Sequence, residues 1–152
     1  MATSSIRVLV VDDTEPFRRF IVSTLQARPK LQVIGEVSDG LEAVQKAQEL
    51  QPDLIVLDIG LPKLNGIEAA QRIQRLSPQS KILFMSQESS ADVVQQAFSL
   101  GACGYVVKME AAGELLAAVD AVLRGEQFVG SRFAGHDFAA ASGSPEKPAP
   151  PL

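Results

Sequence analysis

Short apolar runs alternate five times with amphipathic stretches along this sequence, and this alternation constrains the fold more than any other feature. The apolar runs, most of them rich in β-branched residues, span residues 6–11, 31–37, 54–57, 81–85 and 104–107. Apolar residues recur at helical spacing over about residues 17–25, 41–50, 65–76, 91–100 and 112–124. Near-continuous apolar strands that alternate with helices predict a doubly wound α/β fold, in which helices cover both faces of a five-stranded parallel sheet.

Composition narrows the class of protein. The chain has 152 residues, of which 46% are hydrophobic, so it can bury one domain-sized core. A net charge of -4 gives no global basic field, which disfavours nucleic-acid binding by this chain alone. One cysteine and one histidine cannot form an internal disulfide or a structural zinc site. With no signal-peptide pattern and no membrane-length apolar run, we expect a cytoplasmic protein that contacts no membrane.

The composition changes near the end of the chain. After Gly125 the sequence is rich in Ala, Ser, Gly and Pro, and it has too little apolar content to join a core. We therefore predict a folded domain over residues 1–129 and a linker or disordered tail over residues 130–152. His136 falls in this tail, and no role is assigned to it.

Polar residues follow four of the five predicted strands. Asp12 and Asp13 follow the first strand, Asp58 the third, Ser86 the fourth and Lys108 the fifth. In an open parallel sheet, ligands bind outside the carboxyl ends of the strands, so these side chains are predicted to meet at one edge. Each residue alone is also typical of a turn, a helix cap or a solvated surface. Their joint placement favours a functional site.

The residue types at this edge indicate phosphoryl chemistry. Three carboxylates in one crevice repel each other, and a hard divalent cation such as Mg²⁺ relieves that repulsion. Lys108 supplies a positive charge and Ser86 a hydroxyl for phosphoryl oxygens. A carboxylate can itself be the nucleophile, and Asp58, at the tip of a fully apolar strand, is the best placed.

Three segments resemble the receiver domain of bacterial two-component response regulators, over about residues 6–129. They are Val10-Val11-Asp12-Asp13, the run from Leu57 to Glu68 that reads LDIGLPKLNGIE, and the run from Gly101 to Lys108 that reads GACGYVVK. The last two are similar to the nitrate-regulator-like subfamily, whose receivers usually precede a helix-turn-helix DNA-binding domain. The resemblance implies a flavodoxin-like fold with strand order 2-1-3-4-5.

The resemblance also implies a role for each site residue. Asp58 would accept a phosphoryl group from a sensor histidine kinase, with Mg²⁺ held by Asp12 or Asp13, by Asp58 and by the Gly60 backbone carbonyl. Ser86 and Lys108 would contact the phosphoryl group, and the rotamer of Tyr105 would follow Ser86. The face formed by the fourth helix, fifth strand and fifth helix would then carry the signal to a partner or to a second copy of the chain.

The sequence departs from the family pattern at two positions. Met109 follows Lys108 where receivers usually have proline, so we expect a trans peptide bond there, and this departure bears on the reach of Lys108. Gln87 is larger than the residue that usually follows the switch hydroxyl, and it could hinder the phosphodonor. Gly60 and Glu88 occupy family positions that tune dephosphorylation.

Other functions stay open at this point. The chain could be the receiver half of a DNA-binding transcription regulator, or a protein-binding module that works without phosphorylation. A magnesium-dependent phosphatase is a further alternative, but such enzymes usually carry a second acid two residues after the nucleophile, where this chain has Gly60.

Overall fold

The computed structural model of the protein describes residues 5–133. Five helices and six strands alternate along this part of the chain, with two short 3-10 segments. The strands are β1 (Ile6–Val11), β2 (Leu31–Val37), β3 (Leu54–Asp58), β4 (Lys81–Ser86), β5 (Gly104–Val107) and β6 (Phe128–Val129). The helices are α1 (Glu15–Leu25), α2 (Gly40–Leu50), α3 (Gly66–Leu76), α4 (Ala91–Ser99) and α5 (Ala111–Leu123). The 3-10 segments are Lys108–Glu110 and Ser131–Phe133.

All strands pair in parallel, in the order β2-β1-β3-β4-β5-β6. The predicted doubly wound fold and the strand order 2-1-3-4-5 are confirmed. The prediction of five strands was one short, because β6 has two residues and is too short to show a periodicity in the sequence. Gly125, at φ +85°, lies in the turn that follows α5, in a conformation that favours glycine.

Ordered packing continues past the predicted domain boundary at residue 129. Phe133 is 3% exposed and lies in the core, so residues 130–133 of the predicted tail belong to the folded domain. The composition change after Gly125 concealed this because one aromatic residue carries the packing. The tail prediction for residues 134–152, with His136, lies outside the described residues.

The sheet separates two apolar layers. Alternate strand residues face opposite sides, as the pleat requires. Leu9, Ile55 and Phe84 pack on the side of α2, α3 and α4, and Val8, Val56 and Met85 pack on the side of α1 and α5. Because β1, β3, β4 and β5 are buried on both faces, their ends are held rigidly relative to one another.

A glycine allows α3 to approach the end of β3. Asn65 caps α3 by accepting a hydrogen bond from the Glu68 N–H at 3.0 Å. A Cβ placed on Gly66 would lie 2.2 Å from the Asp58 carbonyl oxygen and 2.7 Å from Ile59 Cα. Both are backbone atoms, so neither can move away by rotation of a side chain. The helix therefore fixes the backbone directly after Asp58.

None of the helices within residues 5–133 combines the length and the apolar composition needed to cross a membrane.

We predict that Gly66→Ala destabilises the domain by about 1–3 kcal/mol, because the added methyl group overpacks against backbone. The matched control is Gly113→Ala in α5, where a Cβ meets nothing within 4 Å. That change removes a helical glycine and is expected to stabilise by about 0.5–1 kcal/mol. Urea unfolding of both variants checks the prediction, and equal stabilities would contradict it.

Candidate functional site

Three carboxylates meet at the carboxyl ends of β1 and β3, as the sequence predicts. Asp12, Asp13 and Asp58 each offer an oxygen that lies within 4.8 Å of the others. Asp12 is fully buried and Asp58 is 4% exposed, whereas Asp13 faces solvent. Oδ1 of Asp58 accepts a hydrogen bond from the Gly60 N–H at 3.2 Å. This cluster therefore gathers negative charge at an edge where two of its members have little contact with water.

Lys108 provides the positive charge next to this cluster. Its Nζ lies 2.8 Å from Asp12 Oδ2 and 3.1 Å from Asp58 Oδ2, and its side chain is 12% exposed. The same nitrogen sits 4.6 Å from the centroid of the Phe17 ring, a distance at which a cation is attracted to an aromatic face. Lys108 thus links the ends of β1, β3 and β5 through two ion pairs. The departure from proline at Met109 does not prevent this reach, and the Lys108–Met109 peptide bond is trans, as expected.

Burial and charge compete in setting the pKa values of this site. Burial raises the pKa of Asp58 above its usual value of 3.8, and the nearby Asp12 raises it further, while Lys108 and the Gly60 N–H lower it. Burial by itself would lower the pKa of Lys108, but the hydrogen bond and charge of Asp12 and the charge of Asp58 leave it raised. The lysine is therefore held in its charged form, and ionised Asp58 carries a desolvation cost that Lys108 offsets only in part.

Ser86 and Tyr105 meet at the backbone of Glu88. Oγ of Ser86 accepts a hydrogen bond from the Glu88 N–H at 3.0 Å, and the Tyr105 hydroxyl donates to the Glu88 carbonyl oxygen at 2.9 Å. Tyr105 is fully buried, and this burial raises the pKa of its hydroxyl. The two residues that the sequence pairs as a switch are thus joined by the segment after β4.

The remaining candidates line a cleft of about 310 Å³ above the carboxylates. Asp13, Gly60, Gln87 and Glu88 all reach it, together with Asp58, Ser86 and Lys108. Gln87 and Glu88 are exposed at the rim. Met109 is 80% exposed and lies beside the neighbouring groove rather than in this cleft. The structure therefore brings every predicted site residue to one edge, with Tyr105 beneath it.

Three residues that support the site were missed at the sequence level. Thr14 donates to Asp12 Oδ1 through its N–H at 2.9 Å and through its hydroxyl at 2.7 Å. Arg18 donates to the Asp12 carbonyl oxygen at 2.8 Å, and Phe17 provides the ring beside Lys108. The spacing Asp12-x-Thr14 is typical of an Asx turn and offered one usable signal. Nothing in the sequence distinguishes Phe17 or Arg18 from other residues of an amphipathic helix.

Comparison with known proteins identifies the family. Residues 8–120 match the response regulator receiver domain family. The chain belongs to this family. The chain is 37% identical over 130 residues to the transcriptional regulatory protein LiaR of Bacillus subtilis. This alignment covers 86% of the chain and 62% of LiaR. The receiver thus spans less than two thirds of that relative.

Two solved structures show the same relationship. A two-component response regulator of the LuxR family from Aurantimonas superposes with a TM-score of 0.78 at 33% identity, over 82% of this chain and 89% of that one. The signal receiver domain of NarL from Mycobacterium tuberculosis gives a TM-score of 0.76 at 28% identity, over 82% and 100%. The predicted resemblance to nitrate-regulator-like receivers is confirmed.

The carboxylates of this receiver fit a hard divalent cation. All three candidate ligands offer oxygen, the donor that Mg²⁺ prefers. Oδ2 of Asp12 is buried, and the Lys108 ammonium, at 2.8 Å, is the cation paired with it. A cation beside this atom would add charge compensation that Lys108 alone supplies incompletely. The receiver therefore has an acidic cluster suited to metal binding.

We predict that Asp58→Asn raises the free energy of unfolding at pH 7 in metal-free buffer. The pKa of Asp58 is raised on folding, so the native state holds its proton up to a higher pH than the unfolded state and loses stability as pH rises. Asparagine removes this cost, and Lys108 keeps its pair with Asp12. The gain should shrink as pH falls through the native pKa and vanish below about 3.8, the unfolded value.

Urea midpoints measured from pH 3.5 to 8 test this expectation. Asp92→Asn serves as the control, because it removes one exposed carboxylate from the first turn of α4, outside the cluster. A loss of stability for Asp58→Asn at pH 7, equal to or larger than that of the control, would contradict the prediction.

Proposed function

We propose that the protein is a phosphorylation-dependent switch in which Asp58 accepts a phosphoryl group from a phosphohistidine of a sensor histidine kinase. One Asp58 carboxylate oxygen would form the new O–P bond while the N–P bond of the phosphohistidine breaks, and the histidine leaves as neutral imidazole because its other ring nitrogen carries a proton. The observation that carries this proposal is the placement of Asp58. It is a buried carboxylate at a strand tip that lines a cleft and lies 3.1 Å from a lysine ammonium.

Each residue around Asp58 has a task in this proposal. Lys108 would stabilise charge on the phosphoryl oxygens, and Asp12, Asp13, Asp58 and the Gly60 carbonyl would hold Mg²⁺, which supplies further charge compensation when bound. The Ser86 hydroxyl would donate to a phosphoryl oxygen. Hydrolysis of the acyl phosphate would return the protein to its starting state, so its chemistry is confined to its own modification.

The same geometry disfavours a phosphatase that acts on external substrates. Such an enzyme needs an acid to protonate the leaving group, and Gly60 occupies the position where that acid usually stands. A module that works without phosphorylation is disfavoured because the carboxylates, hydroxyl and lysine all converge on the cleft.

We propose that the signal leaves the domain as a change at Ser86 and Tyr105. When Ser86 turns to a phosphoryl oxygen, it would release the Glu88 N–H, and the Glu88 carbonyl that holds the Tyr105 hydroxyl would shift with it. The output region would be the face of α4, β5 and α5, with a second copy of the chain as one partner. Because β6 already pairs with Gly104 and Tyr105 of β5, such a dimer would use helix surfaces rather than strand pairing at these residues.

We further propose that the output is transcriptional. LiaR, of which this chain covers 62%, is a transcriptional regulatory protein, which favours a DNA-binding domain that this receiver would control in the cytoplasm. The prediction is that the coding sequence continues in frame beyond Leu152 into a helix-turn-helix domain. A stop codon directly after Leu152 would contradict it.

The phosphoacceptor role predicts a mass change. With Mg²⁺ and acetyl phosphate, the protein should gain one phosphoryl group in an intact-mass measurement, and it should gain none when Mg²⁺ is chelated. Asp58→Asn should fold and remain unlabelled, because the amide is a poor nucleophile. Asp53→Asn is the matched control: Asp53 lies next to β3 at the opposite end of the sheet, where it accepts a hydrogen bond from the Arg7 N–H, and this variant should be labelled like the wild type.

The outcomes separate the alternatives. Full labelling of Asp58→Asn would overturn the assignment of the nucleophile. No labelling of the wild type by acetyl phosphate or by phosphorylated kinase would favour the module that works without phosphorylation. Sustained turnover of an external phosphomonoester would instead favour the phosphatase.

A further inference from the structure

Residues 128–133, which we call the strap, fold back along β5 after α5. Phe128 and Val129 pair with Gly104 and Tyr105, and the Phe128 N–H donates to the Cys103 carbonyl oxygen at 3.1 Å. At Gly104 a side chain would collide with Leu83, at 2.7 Å, and with Val122, at 3.1 Å. Glycine at this point therefore allows β4, β5 and α5 to pack closely beside the strap.

Phe133 connects the strap to the predicted switch tyrosine. The two rings pack edge to face, with centroids 6.4 Å apart and an interplanar angle of 87°. Phe133 is 3% exposed and Tyr105 is fully buried. Any rotation of the Tyr105 ring therefore removes packing from Phe133, because a filled core does not adjust continuously.

A second contact joins the strap to the segment that follows Lys108. Arg132 donates to Glu110 Oε2 through Nη2 at 2.8 Å and through Nε at 3.2 Å, and its Nη2 lies 3.8 Å from the Met109 sulfur. Ser131 donates to Glu114 Oε2 through both its N–H and its hydroxyl, each at 3.2 Å. Glu110 is two residues from Lys108 in the same 3-10 segment. The strap therefore contacts Tyr105 directly, and it contacts Met109 and Glu110, the two residues that follow Lys108.

We propose that the strap is a phosphorylation-sensitive clamp, which is closed while Asp58 is unmodified and loosens when Asp58 carries a phosphoryl group. The inference rests on the proposed function. It adds a route by which phosphorylation of Asp58 changes the contacts of residues 128–133, at the C-terminal end of the described part of the chain.

The direction of the change follows from the contacts of the unmodified protein. Lys108 is held by Asp12 and Asp58, and Tyr105 is held by the Glu88 carbonyl. A phosphoryl group on Asp58 gives Lys108 and Ser86 new oxygen partners, so the 3-10 segment and the Glu88 backbone both shift. The strap loses its fit to Tyr105 and Glu110 together. By thermodynamic reciprocity, weakening the strap must also change the affinity of the site for a phosphoryl mimic.

Amide hydrogen exchange of residues 128–133 in the full chain tests this proposal. The amides of Phe128 and Phe133 both donate to backbone carbonyls when the strap is closed. The probe is beryllium trifluoride, a phosphoryl mimic, added with Mg²⁺ and compared with Mg²⁺ alone. We expect strap exchange to accelerate at least about fivefold, the lower end of typical coupling between two sites. Asp58→Asn should show no acceleration.

Two variants address the two contacts separately. Phe133→Ala should exchange rapidly with and without the mimic, so the acceleration falls toward onefold. Arg132→Gln leaves the core intact, because Arg132 is exposed. This variant should also reduce the acceleration, and it tests the proposal even where Phe133→Ala does not fold. Leu25→Ala, which deletes a buried apolar side chain at the end of α1 away from the site, should keep the acceleration of the wild type.

The outcomes distinguish this inference from the proposed function. If acetyl phosphate labels Asp58 and the mimic leaves strap exchange unchanged or slower, the strap proposal is overturned and the phosphoacceptor role stands. If both variants keep the acceleration of the wild type, the contacts of Phe133 and Arg132 do not carry the coupling and the proposal is also overturned. If Asp58 accepts no phosphoryl group, both the phosphoacceptor role and the strap proposal are overturned.

Discussion

The Lys108 ammonium lies between two buried carboxylates, and the arrangement of the sheet edge depends on this contact. It joins residues at the carboxyl ends of β1, β3 and β5, although these strands are far apart in the sequence. One positive charge faces three negative charges, so the edge is held together and yet undercompensated. A buried charge without sufficient compensation is costly, and a ligand that changes the balance gains binding energy from it. The site is therefore sensitive to both a cation and a phosphoryl group.

Local patterns in the sequence were sufficient to predict most of the fold. Apolar runs marked β1 to β5, and the rule that ligands bind at the carboxyl ends of parallel strands brought Asp12, Asp58 and Lys108 together without knowledge of their distances. The prediction failed where structure depends on tertiary pairing. β6 forms because β5 has an open edge beside it, and no property of two residues reveals this in advance. The packing of Phe133 was hidden for the same reason.

The side chains that support the site were also not predictable from local sequence patterns. Thr14 and Arg18 act on Asp12 from the start of α1, and their residue types are common at any helix start. What makes them specific is the direction in which α1 leaves β1, and that direction is set by packing of the helix on the sheet. The Glu88 backbone is a further example, since both Ser86 and Tyr105 bind main-chain atoms there. Any residue except proline would offer those atoms at this position, so side-chain identity carries almost no signal.

The parallel pairing of β6 has a consequence for how this domain behaves when it is shortened. An unpaired apolar strand at a sheet edge is a template for aggregation, and natural proteins cover such strands or add charge to them. β5 is fully buried and its four residues carry no charge, and β6 pairs with the first two of them. A fragment that ends after α5 would keep the carboxylate cluster and Lys108, but it would expose this strand to other chains. The solubility of the isolated domain therefore depends on residues 128–133, none of which lines the cleft around Asp58.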